Sequence, residues 1–116
     1  MKVSVQKLAR KNLDEEMKPY RQAARVRDPT QDLLRAVRKA LKIYSHEIAA
    51  KLDRTPGTVF EIERREAKRT VTLRDLARYA GAMDCKVVYG VVPKNGRTFE
   101  ELYMERLWAA VLGIRD

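Results

Sequence analysis

The sequence predicts a mainly helical fold: a helix-turn-helix at its centre, a basic helical segment before it, and a strand–helix extension after it. Three observations lead there. Residues 45–63, SHEIAAKLDRTPGTVFEIE, read as two short helices joined by a tight turn. On both sides of them apolar residues recur at mostly three- to five-residue steps, the spacing of helices with one buried face. Only at 85–92, CKVVYGVV, does the pattern change to a β-branched run, closed by Pro93.

Each element follows from local chemistry. From about Ser4 to Arg25, the residues Val5, Leu8, Leu13, Met17, Tyr20 and Ala24 form an apolar stripe. The opposite face is basic, with Lys7, Arg10, Lys11, Lys18, Arg21 and Arg25. Pro19 is expected to kink this helix or divide it in two. Arg27-Asp28-Pro29-Thr30 reads as a linker and helix start, followed by a second stripe of Leu33, Leu34, Val37, Ala40 and Leu41 that ends near Tyr44. In the central motif Ile48, Ala49 and Leu52 share one face, and Val59 and Ile62 share another. Ala49 stands where two steeply crossing helices leave room for a small side chain. Thr55 then Pro56 is a helix start: a hydroxyl able to cap free N–H groups, followed by a residue whose missing N–H costs nothing there.

Residues 65–69 read as a polar connection. Thr72 with Asp75 opens the next helix in the manner of a capping box, and Leu73, Leu76, Ala77, Ala80 and Met83 are expected to be buried. Gly81 weakens that helix and Asp84 stops it. The run 85–92 reads as a strand and Asn95-Gly96 as a turn. A second capping box, Thr98 with Glu101, starts a last helix carrying Phe99, Leu102, Tyr103, Leu107, Ala110, Val111 and Ile114. Three segments result: 1–29 basic and helical, 30–83 the helix-turn-helix domain, and 84–116 a strand and helix for dimerisation. A solitary strand leaves its N–H and C=O groups unpaired. The expected partner is the same strand in a second subunit about a two-fold axis, with Val3–Val5 of the same chain as the competitor.

Composition narrows the function. The chain has 25 Lys+Arg against 16 Asp+Glu, a net charge of +9, and a pI near 9.9. Residues 1–43 hold twelve of the basic and five of the acidic side chains. Such an excess suits a polyanionic partner, although charge runs also serve as solvated surface. One cysteine, Cys85, and one histidine, His46, exclude an internal disulfide, a cysteine-based zinc site and a His-centred triad. Cys85 is expected to be a buried small hydrophobe and His46 to be exposed. No catalytic residue, metal ligand or cofactor site is expected, and the chain does not read as an enzyme. The start MKVSVQKLARK lacks the apolar core of a signal peptide, no run is long enough to span a membrane, and the cytoplasm is the expected location.

The residues also carry a resemblance. LRAVRKAL (34–41), IAAKL (48–52), TPGTVFEIE (55–63) and TLRDLARYA (72–80) resemble the Cro/repressor (XRE) helix-turn-helix domain, a lambda-repressor-like fold. Asn12-Leu13-Asp14, MKPYR at 17–21, Glu66-Ala67 before TVTL, and MDCKVVYGVVP (83–93) resemble more narrowly the group named mobile mystery protein A. The resemblance implies a five-helix domain over 30–83, sequence-specific binding of double-stranded DNA as a homodimer, and control of its own operon. It also implies a Fic-domain partner protein, and an antitoxin-like role is the alternative function. Three positions depart from the family pattern: Asp53 stands where a glycine is common at the turn, Ser45 where a glutamine is common, and Pro56-Gly57 where base-reading glutamines often lie. Aspartate tolerates the positive φ that such a turn needs.

In a Cro-like arrangement the second motif helix presents Gly57, Thr58, Phe60, Glu61, Arg64 and Arg65, and Pro56 with Gly57 lets the backbone come close to the groove. Thr58 is placed for a thymine methyl or base edge, and Arg64 or Arg65 for guanine or phosphate. Glu61 either accepts from a cytosine amino group or pairs with Arg64 or Arg65 on the helix surface. Phe60 more readily packs against a neighbour than reads a base. Ser45, Arg54, Thr55, Lys68 and Arg69 flank the motif as phosphate anchors. Arg38 and Glu63 match a structural ion pair tying an earlier helix to the second motif helix, either partly buried or on the surface.

Overall fold

A computed structural model describes residues 4–25 and 32–113. Among them the fold is mainly helical: α1 (Val5–Glu16), α2 (Lys18–Ala23), α3 (Leu33–Ala40), α4 (Ser45–Leu52), α5 (Pro56–Ala67), α6 (Leu73–Ala82) and α7 (Phe99–Val111). No strand occurs among the described residues. The helices divide between two compact units, one within Met1–Asp28 together with Tyr89–Asp116, the other within Pro29–Val88. The terminal segments, read from the sequence as separate, therefore share a unit.

In the central unit α3 to α6 close over Leu34, Ile48, Ala49, Val59, Ile62, Tyr79, Ala82 and Met83. Val37, Ile43, Leu52, Val71 and Leu76 pack around them. The starts are capped as their sequences require: the Thr55 hydroxyl accepts from the N–H of Thr58, and the Thr72 hydroxyl from that of Asp75. The ends are less usual. Lys42, Asp53, Arg69 and Asp84 all take positive φ, between 54° and 59°, without being glycine. At Asp53 this left-handed residue turns the chain sharply, and Arg54 N–H bonds back to Ala49 C=O at 2.9 Å. Several residues assigned to the core lie outside it. Leu33 (42 %), Leu41 (52 %) and Leu73 (50 %) are exposed, as are Ala40 and Ala77. The buried face of α6 is turned instead onto Tyr79, with no exposed surface, beside Ala80 and Met83.

In the terminal unit the chain divides at Met17, with Pro19 in the first turn of α2 where its missing N–H is harmless. Helices α1 and α7 run antiparallel and are joined through Asp14. Its carboxylate accepts from the N–H groups of Phe99 (2.6 Å) and Glu100 (3.2 Å), capping α7 from a distance. Arg10 bonds Glu100 at 2.6 Å and lies 3.6 Å over the Tyr103 ring. Thr98 and Glu101 form the reciprocal capping box, and these contacts hold the Glu101 carboxyl below its ordinary range. Gly90 passes so close to Tyr20 that a Cβ there would lie 2.6 Å from two ring carbons.

The strand expected over 85–92 is not formed. β-Branched residues favour an extended backbone, but a strand exists only through a ladder with a neighbour. Val5, the competing partner, instead opens α1. Val88, Tyr89 and Val91 are consequently 66–71 % exposed, and Cys85, expected inside, is exposed too. The 94–96 turn forms, with positive φ at Asn95 and Gly96. The expected linker 27–30, Val3 and Ile114 lie outside the described residues. No described helix is long and apolar enough to cross a membrane.

Candidate nucleic-acid interface

Helix α5 is held on one side and open on the other. Val59 (0 % exposed) and Ile62 (6 %) anchor it in the core beside Ile48 and Ala49. The remaining face presents Pro56, Gly57, Phe60, Arg64 and Arg65 outward, with Phe60 48 % exposed. Three residues, Asp53, Arg54 and Thr55, connect α4 to α5, so the N-terminus of α5 stands at the tip of the turn. Its orphan N–H groups and partial positive charge face outward there, with the Thr55 hydroxyl shared between Thr58 N–H and Thr58 Oγ (3.3 Å).

Beside that tip lies an open cleft of about 900 Å³, bordered among others by Arg54, Thr58, Glu61, Arg65, Asp75 and Arg78. It brings together six of the residues singled out from sequence: Arg54, Thr55, Gly57, Thr58, Glu61 and Arg65 all line it. Glu61 settles into the second of its two expected arrangements. One carboxylate oxygen bonds Arg64 Nη1 at 2.9 Å and the other meets Arg65 Nε at 3.3 Å. These pairs are exposed and contribute little to stability, but they orient both guanidinium groups along the outer face. Phe60 lies away from this cleft, bordering a smaller one with Arg35 and Arg64.

The other expected anchors sit elsewhere. Ser45 is half-buried in the first turn of α4, whose N-cap, Tyr44, makes no side-chain cap and stacks on the exposed His46 ring at 5.5 Å. Lys68 and Arg69 are exposed beyond the far end of α5, about 18 Å along its axis from Thr55. Two cations on the cleft were not singled out from the sequence. Lys51 donates to the Ala82 carbonyl at 3.1 Å, closing the end of α6. Arg78 lines the cleft from α6, and no local pattern in the sequence marks it.

Beneath the open face, Arg38 and Glu63 pair through Nε–Oε2 (2.9 Å) and Nη2–Oε1 (3.3 Å), with side chains only 11 % and 8 % exposed. The buried arrangement is therefore the one formed. The Tyr79 hydroxyl completes it, donating to Glu63 and accepting from Arg38 Nε at 3.1 Å. The Glu63 carboxylate raises the Arg38 pKa, and burial followed by that carboxylate pushes the Tyr79 phenol far above its ordinary range. Tyr79 escaped the sequence reading although Leu76, Tyr79, Ala80 and Met83 have the i, i+3, i+4, i+7 spacing of a buried stripe. Glu66, read as part of a connection, lies inside α5 and accepts from the Leu34 N–H at 2.8 Å, capping α3. Burial raises its pKa.

No family model, curated protein or solved structure matches this chain. The site rests on its own geometry. Among the described residues no group of three His, Cys, Asp or Glu side chains is placed to hold a metal ion.

Proposed function

We propose that this protein is a sequence-specific DNA-binding transcriptional regulator whose α4–α5 pair acts as a helix-turn-helix, with α5 entering the major groove. One observation carries the reading: α5 is buried along Val59 and Ile62 while its opposite face and N-terminal tip stand open and flanked by arginines. The major groove, about 12 Å wide, admits a helix presented in this way. Thr58 reads a base edge or thymine methyl. Pro56 and Gly57 supply close backbone approach in place of polar side chains. Arg54, Arg65 and Arg78 meet phosphates beside the tip, Arg64 meets one or a guanine further along α5, and Lys68 and Arg69 meet them at the far end. The net charge of +9 and the resemblance of residues 34–80 to XRE domains support the same reading.

The test is a mobility-shift titration with the DNA upstream of the protein's own coding sequence, at two salt concentrations and against random duplex. Binding that prefers the upstream DNA and weakens steeply with salt is expected. Thr58→Ala should change the preferred sequence in a randomised-site selection, whereas Arg69→Ala should weaken binding to all sequences alike. Equal, feeble binding to every duplex would reject the proposal. A second reading, an antitoxin-like binder of a Fic-domain protein, is supported by Pro56 and Gly57, which put no hydrogen-bonding side chain at the head of α5 where a base would be read. Copurification with the protein encoded next to it tests that reading.

A further inference from the structure

A separate cleft, of about 750 Å³, lies within the terminal unit, where the end of α2 meets the 92–96 turn. Arg21 and Arg25 line it from α2 and the turn that follows, Lys94 lines it from the distant segment, and no lining residue is acidic. The clefts beside α5 differ in this respect: one mixes its cations with Asp53, Glu61 and Asp75, the other with Asp32 and Glu63. A helix C-terminus favours nearby arginines, which accounts for Arg21 and Arg25 but not for Lys94. Both segments are held in place. The Arg21 side chain is 17 % exposed; its Nη1 donates to the Asp14 carbonyl at 2.8 Å and stands 3.9 Å from the Asp14 carboxylate. On the other segment, positive φ at Asn95 and Gly96 bends the chain, and Arg97 Nε bonds the Lys94 carbonyl at 2.9 Å. Arg25 and Lys94 are exposed, and neither enters an ion pair among the described residues.

We infer that this cleft binds a small organic molecule carrying linked phosphates, of the class of a nucleoside diphosphate. A concavity lined by one sign of charge focuses its field and concentrates the opposite ion. Arg21 and Arg25 offer planar forks of N–H groups suited to phosphate oxygens, and Lys94 adds a point charge. A phosphate monoester carries about two negative charges, so three cations around one concavity suit more than a single phosphate. Val92 and the buried Pro93 supply an apolar wall for the rest of the molecule. The volume lies within the range of about 300–1,000 Å³ typical of small-molecule sites. A duplex instead presents its phosphates as a long ridge, one per about 3.4 Å along each strand, which calls for an extended stripe of cations. The inference goes beyond DNA binding and does not depend on it.

Isothermal titration of the full chain with adenosine diphosphate, at about 0.15 M salt, tests the inference, with adenosine and sodium sulfate as comparisons. Saturable binding of one diphosphate per chain is expected, and none of adenosine or sulfate. Lys94→Glu and Arg25→Glu are each expected to weaken it at least about tenfold, with an unchanged far-ultraviolet circular dichroism spectrum. If either loses helix, Lys94→Gln, which removes the charge without reversing it, takes its place. Arg21 is left intact because its contact with Asp14 belongs to the fold. The absence of saturable binding, sulfate bound as tightly as the diphosphate, or variants that bind like the wild type would overturn the inference. So would weaker binding of upstream DNA by Lys94→Glu when the wild type ignores the diphosphate; that result assigns the cleft to the DNA backbone and leaves the DNA-binding function standing.

Discussion

Replacing Glu63 by alanine probes the packing that holds α5 in place. The carboxylate is 8 % exposed and takes Arg38 through two contacts at 2.9 and 3.3 Å, with the Tyr79 hydroxyl as a third partner. Without it the Arg38 guanidinium, 11 % exposed, keeps only the Tyr79 oxygen at 3.1 Å and the Ile43 carbonyl at 3.4 Å. Breaking a buried pair in this way costs about 3–5 kcal/mol, and the remaining contacts and slight water access place the cost in the lower half of that range. For a unit of this size, about 3 kcal/mol lowers the midpoint by something on the order of 10–20 °C. Tyr79→Phe deletes only the hydroxyl and should cost about 1–2 kcal/mol. The assay is urea and thermal unfolding by far-ultraviolet circular dichroism, with fluorescence of Trp108, the single tryptophan, reporting the terminal unit separately. A loss below about 1 kcal/mol for Glu63→Ala, the range of exposed pairs, would refute the reasoning.

Three further outcomes are expected. Gly90→Ala places a Cβ 2.6 Å from the Tyr20 ring and should destabilise the terminal unit by about 1–3 kcal/mol; an unchanged Trp108 unfolding curve would show that Tyr20 moves aside without cost. Burial raises the Glu66 pKa, so the folded state holds that proton more tightly than the unfolded chain. Its contribution to stability is full below the ordinary glutamate value of about 4.3 and is lost as pH rises through the raised folded value. Glu66→Gln, which keeps an acceptor for Leu34 N–H, should therefore be more stable than wild type at neutral pH, and the two should converge on acidification; parallel pH curves would count against this. Lys42→Gly relieves a positive φ of 56° and should stabilise the central unit by up to about 1 kcal/mol, read from the urea midpoint.

What the sequence determined by itself is local. The caps at Thr55, Thr72 and Thr98, the break near Pro19, the turn at Asp53 and the 94–96 turn all form within three or four residues, where dihedral preference and a nearby hydroxyl decide the geometry. Of the candidate interface, the two short helices and the buried face of α5 at Val59 and Ile62 were legible in spacing; Arg54, Thr58 and Arg65 came from the family resemblance, and the structure lines one cleft with them. The tertiary structure decided what periodicity cannot. Spacing says which residues share a face but not how far a neighbour covers it, so Leu33, Leu41 and Leu73 are exposed while Tyr79 is sealed. Glu66 caps a helix 32 residues away and Asp14 one 85 residues away, partners that no local pattern specifies. The run at 85–92 has the composition of a strand, yet a ladder needs a second backbone alongside, and the fold of this chain provides none among the described residues.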